Sequence, residues 1–415
     1  MRKKVYFKTF GCRTNMFDSQ VMMNALKNYD ITQDENEADI VVVNSCTVTN
    51  GADTNVRSYI SSIEKKGDAQ IFLTGCGAHT KGEKLLEEKR VFGVFGQSEK
   101  QKIDELLASK KPFYKKGDLE FIDTNIVDDF IGKSRAFIKI QEGCNFHCSY
   151  CIIPSVRGKA RSIDEALILQ QIQRLASNGF GEFVLTGTNI GSYGVDTNTS
   201  LAKLMKKISL IRGVRRIRLG SIEPIQLTDE FKEILDEPWL ERHLHIALQH
   251  TSPQMLKIMN RRNMYKQDRE LFEFLAQKGF AIGTDFITGH PGETQEIWQE
   301  AIQNFQQLPI THIHAFTYSK RDGTPSATLK AQVGGDIAKK RLHEIEAIVK
   351  ENNFHFRQTK KEPLIVLVEQ FHNGYYIGLD QFFNKIKIQS KEDIVGNWIM
   401  VEDFEVEMEQ NYANF

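Results

Sequence analysis

No run of about 18 apolar residues, the length that a membrane-spanning helix needs, occurs in the 415 residues of this sequence. The N-terminus begins with basic residues, but the apolar stretch that follows is too short for a signal peptide and has no small-residue cleavage site. Low-complexity segments are also absent. These absences predict a cytoplasmic protein with no membrane partner.

The sequence also lacks a net charge, because 54 lysine and arginine residues balance 54 aspartate and glutamate residues. The total therefore neither favours nor excludes a nucleic-acid partner. From Glu362 onwards, ten acidic residues stand against three lysines, a net charge of −7 that leaves +7 upstream. Any basic surface therefore lies upstream. Its candidate segments are Lys206 with Lys207, residues 212–218, and Arg261 with Arg262, and the alternative interpretation of these runs is a solvated helix face.

The length predicts two or three domains. In residues 1–110, short β-type runs alternate with helical patterns, which predicts a doubly wound α/β domain with a parallel sheet. Its apolar runs are residues 5–10, 40–43 and 71–74, each long enough for a buried parallel strand. The charged residues 111–133 are interpreted as a linker.

A second pattern of apolar runs and helical stretches fills residues 134–360 and ends in an exit helix. It predicts an open (β/α)6 barrel whose active site lies at the C-terminal ends of the strands. Its apolar runs are residues 136–140, 182–186, 216–220, 244–248, 281–287 and 312–318. The remaining residues, 361–415, read as a small all-β module with short strands between Asn-Gly and Gly-Asn turns.

Aromatic residues are frequent in this β module. Such rings can stack on bases, but a small β barrel also needs them for its core, and the core is the favoured interpretation. The residues concerned are Phe371, Tyr375, Tyr376, Phe382 and Phe383.

Three of the six cysteines form a C-x3-C-x2-C motif just after a predicted strand: Cys144, Cys148 and Cys151. Thiolates at this spacing surround one soft metal centre and are the usual ligands of an iron–sulfur cluster. A closed zinc site needs four ligands, and His147, between two of the cysteines, is interpreted as a loop residue. A disulfide is disfavoured by the compartment and by the odd number. Three ligands leave one iron open for chemistry.

The other three cysteines, Cys12, Cys46 and Cys76, each follow a predicted parallel strand of the first domain. Because the C-terminal ends of parallel strands lie along one edge of a sheet, these thiols can converge and hold a second cluster. The alternative is three buried, inert cysteines.

These contexts resemble the methylthiotransferase family of radical S-adenosylmethionine enzymes, and the resemblance covers essentially the whole chain. The terminal β module is similar to the TRAM barrel that helps RNA-modifying members of that family bind tRNA. The segments that carry the resemblance are residues 9–15 (TFGCRTN), 43–49 (VNSCTVT), 74–76 (TGC) and 141–151 (QEGCNFHCSYC), the last continued to residue 162.

The resemblance implies two 4Fe–4S clusters, with all six cysteines as ligands. The cluster on Cys12, Cys46 and Cys76 is expected to hold the sulfur that is transferred. The other is expected to cleave S-adenosyl-L-methionine, which serves both as methyl donor and as radical source. A reductant such as flavodoxin or ferredoxin is implied, whereas the sulfur source is not indicated.

Contacts with S-adenosyl-L-methionine are expected at the barrel strand ends, where this fold places its sites. The predicted residues are Tyr150, Gly187, Asn189, Glu223 and Gln249. Gly187 belongs to a glycine-containing loop whose alternative interpretation is a plain turn. No catalytic residue is assigned beyond the cluster ligands. Arg321 with Asp322 is either a substrate contact or an ordinary surface pair.

The predicted substrate is N6-threonylcarbamoyladenosine next to the tRNA anticodon, modified at C2. Two alternatives within the family are isopentenyladenosine in tRNA and an aspartate on a ribosomal protein. The segment at residues 249–252 is closer to the last of these. An alternative from another class is an RNA-binding protein whose clusters are structural or redox-sensing. The acidic β module leaves open whether it contacts RNA, because affinity for RNA depends on neutralising phosphates.

Overall fold

The computed structural model describes residues 2–67, 69–127, 129–130 and 132–415. Met1 of the basic N-terminus, and Asp128 and Ile131 of the predicted linker, lie outside the described residues. The chain forms a parallel α/β domain, an open barrel and a curled β module. In the described part of the chain, no helix is both long and apolar enough to cross a membrane.

The first domain is a six-stranded parallel sheet with the strand order β2-β1-β3-β4-β5-β6. Its strands are β1 (Lys4–Thr9), β2 (Asp30–Ile31), β3 (Ile40–Ser45), β4 (Gln70–Gly75), β5 (Gly93–Phe95) and β6 (Phe113–Lys115). Its helices are α1 (Arg13–Ala25), α2 (Asn50–Lys66), α3 (Gly82–Glu87) and α4 (Ile103–Leu107). Alternate residues of β3 pack into two different hydrophobic cores, Val41 with Val43 and Ile40 with Val42. Both faces of the sheet are therefore covered, as the doubly wound prediction requires.

The sheet extends further than the sequence predicts. Strand β6 falls inside the segment interpreted as a linker, and its Phe113 pairs with Gly93 of β5 and packs on the sheet. The connection to the barrel therefore begins after Lys115.

The central domain is an open barrel of six parallel strands in the order β7-β10-β11-β12-β13-β14, with the bridge Ile222–Ile246 joining its two halves. Its strands, with a short antiparallel pair β8-β9, are β7 (Ala136–Lys139), β8 (Gln141–Glu142), β9 (Arg161–Ser162), β10 (Glu182–Thr186), β11 (Arg216–Leu219), β12 (His243–His245), β13 (Ala281–Thr288) and β14 (His312–Thr317). Its helices are α5 (Ile153–Arg157), α6 (Glu165–Ser177), α7 (Leu201–Ser209), α8 (Asp229–Lys232), α9 (Pro253–Ile258), α10 (Tyr265–Gln277), α11 (Gln295–Gln306) and the exit helix α12 (Gly335–Thr359). Phe17 and Val21 of α1 join the barrel core, so the first two domains pack together.

The β module is one curled sheet with the strand order β18-β15-β16-β17-β20-β19. Its strands are β15 (Leu364–His372), β16 (Tyr375–Leu379), β17 (Lys385–Gln389), β18 (Trp398–Val401), β19 (Glu405–Val406) and β20 (Asn411–Asn414). Phe382 lies in its core as predicted, and Tyr375 and Tyr376 are half-buried. The core prediction is wrong for two residues: Phe371 is 57% exposed, and Phe383 stacks on the His243 ring of the barrel, 4.9 Å between centroids.

Many of the residues predicted to form a basic surface are buried or paired with acidic side chains. Arg216 and Arg218 are buried and form ion pairs with Glu182, since β11 directs their side chains inwards. The Arg261 side chain is only 2% exposed, whereas its neighbour Arg262 is exposed. The exposed Lys206 and Lys207 pair with acidic side chains of neighbouring helical segments, at 3.2 and 2.5 Å.

Candidate active site

The structure brings Cys12, Cys46 and Cys76, hereafter the N-terminal triad, to one edge of the first sheet. Cys12 follows β1, Cys46 follows β3 and Cys76 follows β4, and these three strands are neighbours in the sheet. Gly11, with φ of +92°, turns the chain after β1, and a Cβ atom there would lie 2.6 Å from Cβ of Cys46. Glycine therefore permits the first two cysteine loops to approach each other.

Buried polar side chains hold these loops in place. The Asn15 amide donates to the carbonyl oxygens of Phe10 and Ser45 at 2.8 and 3.0 Å. The Asn44 amide donates to the Asn15 carbonyl at 2.8 Å, and the Ser45 hydroxyl accepts from the backbone N–H of Gly77 at 3.1 Å. The polar residues around each cysteine thus tie the three loops together.

Cys144, Cys148 and Cys151, hereafter the radical triad, lie on one loop between β8 and α5. The backbone N–H of Cys151 donates to the Cys148 carbonyl at 3.1 Å, which folds the loop on itself. The Asn189 amide lies 3.6 Å from the Cys144 sulfur. The continuous loop confirms that the motif gathers its three thiols locally.

The two triads meet at one cavity of about 400 Å³. Cys12 lines it from the first domain, together with Val48 and Thr49, and all three cysteines of the radical triad line it from the barrel. Its volume is within the range of small-molecule and cofactor sites. A molecule in this cavity would therefore lie between Cys12 and the radical triad.

Burial keeps most of the thiols of the two triads protonated when no metal is bound. Burial raises the pKa of Cys46 to about 11 and that of Cys151 to about 12, and neighbouring thiols in each triad add to the rise. Burial also raises the pKa of Cys76, although Arg157 opposes it. Such thiols lose their protons when positively charged iron binds them, because thiolate is the form that ligates metal. In the described residues all six cysteines are free of disulfides.

Four of the five predicted cofactor contacts line the cavity: Tyr150, Asn189, Glu223 and Gln249. Gly187 is not among the lining residues, and a Cβ there would lie 2.7 Å from the Gln141 carbonyl oxygen, so its lack of a side chain serves loop packing.

Two features of the lining residues are typical of ligand sites. Asn189 carries a buried side-chain oxygen with no hydrogen-bond partner in the described part of the chain. Gln249 has φ of +67°, a left-handed conformation that is unusual for a residue with a side chain. An unpaired buried oxygen is costly unless a ligand donates to it, so the lining fits a polar cofactor.

Two arginines have roles at the triads that the sequence does not indicate. Arg157 donates from Nε to the Cys76 sulfur at 3.2 Å and from Nη1 to Asp18 at 3.1 Å. Arg261 lies 3.5 Å from the Cys148 sulfur and forms a bidentate ion pair with Glu223. Each triad therefore has one buried guanidinium beside one of its sulfurs. Both positions follow from contacts between segments distant in sequence, which no local pattern reveals.

Arg157 belongs to a buried ion network between the first domain and the barrel. Burial alone would raise the pKa of Asp18, but the neighbouring cations hold it well below its ordinary value. Three buried cations face three carboxylates, and the partly buried Arg161 adds a fourth cation 3.8 Å from Glu142. The members are Asp18, Lys100, Asp123, Lys139, Glu142 and Arg157.

A second contact between the domains lies beside the cavity, next to the lining residues Thr49 and Ser319. Arg321 donates to Asp53 of α2 at 2.6 Å and to the Asn50 side chain at 2.9 Å. Arg321 is therefore neither a free substrate contact nor part of a pair with Asp322, the two alternatives that the sequence left open.

Comparisons with known proteins cover most of the chain. Residues 4–96 match the “Uncharacterized protein family UPF0004”, and residues 138–305 match the “Radical SAM superfamily”. The chain is 52% identical to a Helicobacter pylori protein named “Putative methylthiotransferase”, over 100% of both chains.

Two relatives have more specific names. One is “Threonylcarbamoyladenosine tRNA methylthiotransferase MtaB” of Bacillus subtilis, 32% identical over 99% of this chain and 96% of that protein. The other is “tRNA-2-methylthio-N(6)-dimethylallyladenosine synthase” of Fervidobacterium nodosum, 30% identical over 96% of this chain and 95% of that protein.

Among solved structures, the radical S-adenosylmethionine methyltransferase TsrM of Kitasatospora setae superposes with a TM-score of 0.61 at 15% identity. The match covers 79% of this chain and 77% of TsrM. The cobalamin-dependent enzyme OxsB gives a TM-score of 0.52 at 12% identity, over 84% of this chain and 56% of OxsB. These likenesses establish a shared fold.

Proposed function

Because the chain belongs to the methylthiotransferase family of radical S-adenosylmethionine enzymes, we propose that it inserts a methylthio group at C2 of N6-threonylcarbamoyladenosine next to the tRNA anticodon. The target C2–H bond is replaced by a C2–S bond, and the hydrogen leaves in 5′-deoxyadenosine. The methyl group comes from a second S-adenosyl-L-methionine. A low-potential reductant such as flavodoxin or ferredoxin supplies the electrons.

The observation that carries this proposal is the shared cavity. Cys12 of the N-terminal triad and the three cysteines of the radical triad line the same space. When bound, the two clusters supply a sulfur atom and the cleavage of the sulfonium, respectively. A substrate carbon held in this cavity would be within reach of both, whereas a merely structural pair of clusters would have no need of a common space.

The residues of this chain have separate tasks in that reaction. The N-terminal and radical triads hold one 4Fe–4S cluster each, and Asn189, Glu223 and Gln249 bind and orient the cofactor. Arg261 keeps Glu223 in position through its bidentate ion pair. Half-buried Tyr150 and buried Ile222 restrict water in the cavity, which protects a radical from side reactions.

Two observations bear on the substrate. Relatives named for threonylcarbamoyladenosine and for dimethylallyladenosine are similar to this chain at 32% and 30% identity, which favours a tRNA substrate without separating the two. His250, Thr251 and Ser252, in the segment that resembles the ribosomal-protein subclass, are fully buried. Thr251 and Ser252 donate to the Ala301 carbonyl and to Glu300, so their identity serves the barrel rather than an aspartate substrate.

Contacts with tRNA are proposed at the cavity mouth rather than on the β module. Exposed Arg262 covers the ring of Phe146, which lines the cavity, at 4.3 Å. Lys206 and Lys207, by contrast, lie in the last turn of α7. That helix runs back from the strand ends that carry the active site, so its last turn is at the opposite edge of the barrel.

Mass spectrometry of tRNA nucleosides from a strain lacking the gene tests the proposal. We expect 2-methylthio-N6-threonylcarbamoyladenosine to disappear, and to return with the wild-type gene but not with Cys148→Ala. Unchanged levels of that nucleoside would contradict the proposal. Loss of a methylthio group from a ribosomal protein, or from isopentenyladenosine, would establish one of the other substrates instead.

A further inference from the structure

The floor of the active-site cavity is polar, although the interior of a barrel is usually filled by branched apolar side chains. Three adjacent strands each contribute one side chain to a polar group: His245 of β12, Asp285 of β13 and His314 of β14. Asp285 is paired with His314 in the sheet, whereas His245 lies opposite Gly283 and reaches Asp285 through its side chain. Nε2 of His245 lies 3.0 Å from Asp285, and Nδ1 of His314 lies 3.5 Å from it. Ser221 donates to the other Asp285 oxygen at 3.0 Å. We name these four residues the lumen cluster.

The lumen cluster is open to the cavity. Asp285 and Ser221 belong to the cavity lining, and the side chain of His314 is 59% exposed. With Nδ1 turned towards Asp285, Nε2 of His314 has no hydrogen-bond partner in the part of the chain that the structure describes. Nε2 of this exposed ring therefore faces solvent and is accessible to a ligand.

The backbone is shaped to make room for these rings. A Cβ atom on Gly283 of β13 would lie 2.6 Å from Nδ1 of His245 and 2.8 Å from Nε2 of His243. That Nε2 atom of His243 is buried and has no partner among the described residues. Any larger residue at position 283 would displace the rings, so the cluster depends on this glycine.

The lumen contains both acidic and basic side chains. Burial alone would raise the pKa of Asp285, but His245 and His314 lower it. Arg13, next to Cys12, enters the same lumen from the first domain and donates to the Leu219 carbonyl at 3.3 Å. Its guanidinium lies 5.6 Å over the Phe383 ring and has no carboxylate within 4.0 Å in the described ranges. Burial lowers the pKa of Arg13, and the more distant carboxylates of Glu241 and Glu182 oppose that shift.

We propose that the lumen cluster binds the carboxylate-bearing N6 substituent of the substrate nucleoside. His314 donates to the carboxylate, and Asp285 accepts from the ureido N–H or hydroxyl of the same substituent. The inference rests on the proposed function and adds the basis of its specificity. A dimethylallyl group has no donor or acceptor, so its binding would leave these polar groups without partners. Sites built for hydrogen bonding reject such analogues strongly.

The test uses the full-length enzyme loaded anaerobically with iron and sulfide, and three anticodon stem-loop RNAs. The RNAs carry threonylcarbamoyladenosine, its carboxamide, which lacks only the negative charge, and dimethylallyladenosine. Dissociation constants are measured without cofactor, and products are measured by mass spectrometry. We expect wild-type enzyme to bind the carboxylate RNA about tenfold more tightly than the carboxamide, since charged hydrogen bonds are stronger than neutral ones.

Two variants and a matched control identify the residues that produce this preference. His314→Leu should bring the two affinities to within about threefold, because a donor to the carboxylate is lost. Asp285→Asn should weaken binding of both ureido RNAs relative to the dimethylallyl RNA. The matched control, His343→Leu, makes the same histidine-to-leucine substitution at an exposed position of α12 and should keep the wild-type preference.

Equal binding of carboxylate and carboxamide RNAs by wild-type enzyme would overturn the inference while leaving the proposed function intact. An undiminished preference in His314→Leu would overturn it as well. So would one equivalent of a non-iron metal in the wild-type enzyme that is lost in Asp285→Asn, because the lumen cluster would then be a metal site. Product formation only on the dimethylallyl RNA would instead refute the proposed function, and the inference with it.

Discussion

The N-terminal and radical triads each bring three thiols together, but by different structural means. The radical triad lies on one short loop, and its spacing alone brings the thiols together. The N-terminal triad is distributed over three strand ends, and its loops are fixed by buried amide and hydroxyl groups. The first is therefore a local structure, whereas the second exists only when the sheet has formed.

The arginine beside each triad shows the same difference. Arg261 contacts Cys148, and both belong to the barrel. Arg157 also belongs to the barrel, but the sulfur that it contacts is Cys76 of the first domain. The N-terminal triad thus depends on the docking of two domains, and the radical triad does not.

Removing each triad should give the largest effects and separate the two roles. With the radical triad changed to alanine, release of 5′-deoxyadenosine should stop. With the N-terminal triad changed, that release should continue while no methylthio product forms. Each variant should lose about four of about eight iron atoms per chain, as two 4Fe–4S clusters require. Loss of 5′-deoxyadenosine in both variants would contradict the division of roles.

Arg157→Met should damage the N-terminal triad selectively. The change leaves Asp18 and Glu142 buried with fewer cations, which for a buried network costs about 3 to 5 kcal/mol in the free energy of unfolding. Urea unfolding and iron analysis check this: we expect a lower midpoint and loss of about half of the iron. Arg269→Met removes an exposed guanidinium that pairs with Glu273 and is the matched control, with no change expected. Full iron content in Arg157→Met would refute the dependence on docking.

Arg261→Gln should affect the radical triad instead. It frees Glu223 in the cavity wall and removes a donor from Cys148, so we expect S-adenosyl-L-methionine affinity to fall about tenfold, with the N-terminal cluster retained. Arg262→Gln changes the neighbouring exposed residue and should keep that affinity, but should weaken RNA binding by a few-fold through a lost phosphate contact. Calorimetry with the cofactor and fluorescence anisotropy with the RNA measure the two effects. Equal cofactor affinity in both variants would contradict the assigned role of Arg261.

Arg321→Gln should give the smallest effect. Its pair with Asp53 joins the domains at the side of the cavity, but it lies outside the buried network. We expect a modest loss of iron from the N-terminal triad and none from the radical triad, as read by spectroscopy of each cluster. Lys206→Gln breaks an exposed pair within the barrel and should change neither. An equal loss from both triads in Arg321→Gln would remove the distinction between them.

The sequence predicts the parts of this structure that are local or periodic. The strands that precede Cys12, Cys46 and Cys76, the C-x3-C-x2-C loop and the (β/α)6 order are all present where apolar runs and spacing indicate them. Convergence of the three strand ends follows because parallel strands share one edge.

Contacts between distant segments are not visible in the sequence. Arg157 and Cys76 are separated by 81 residues, and Arg13 and Leu219 by 206. Arg261 and Arg262 are the simplest example of what the sequence does not predict. They are adjacent and identical in type, yet the first is buried against Glu223 and the second is exposed. Only the direction of each side chain, set by the fold, separates an active-site residue from a surface one.

The central claim is that two clusters face one cavity. Anomalous X-ray diffraction at the iron edge, from anaerobically loaded crystals of the full-length protein, tests it most directly. The account predicts two separate iron peaks, one at the N-terminal triad and one at the radical triad, both on the wall of the cavity that contains Glu223 and Gln249. A single peak, or a second peak away from Cys12, Cys46 and Cys76, would contradict it.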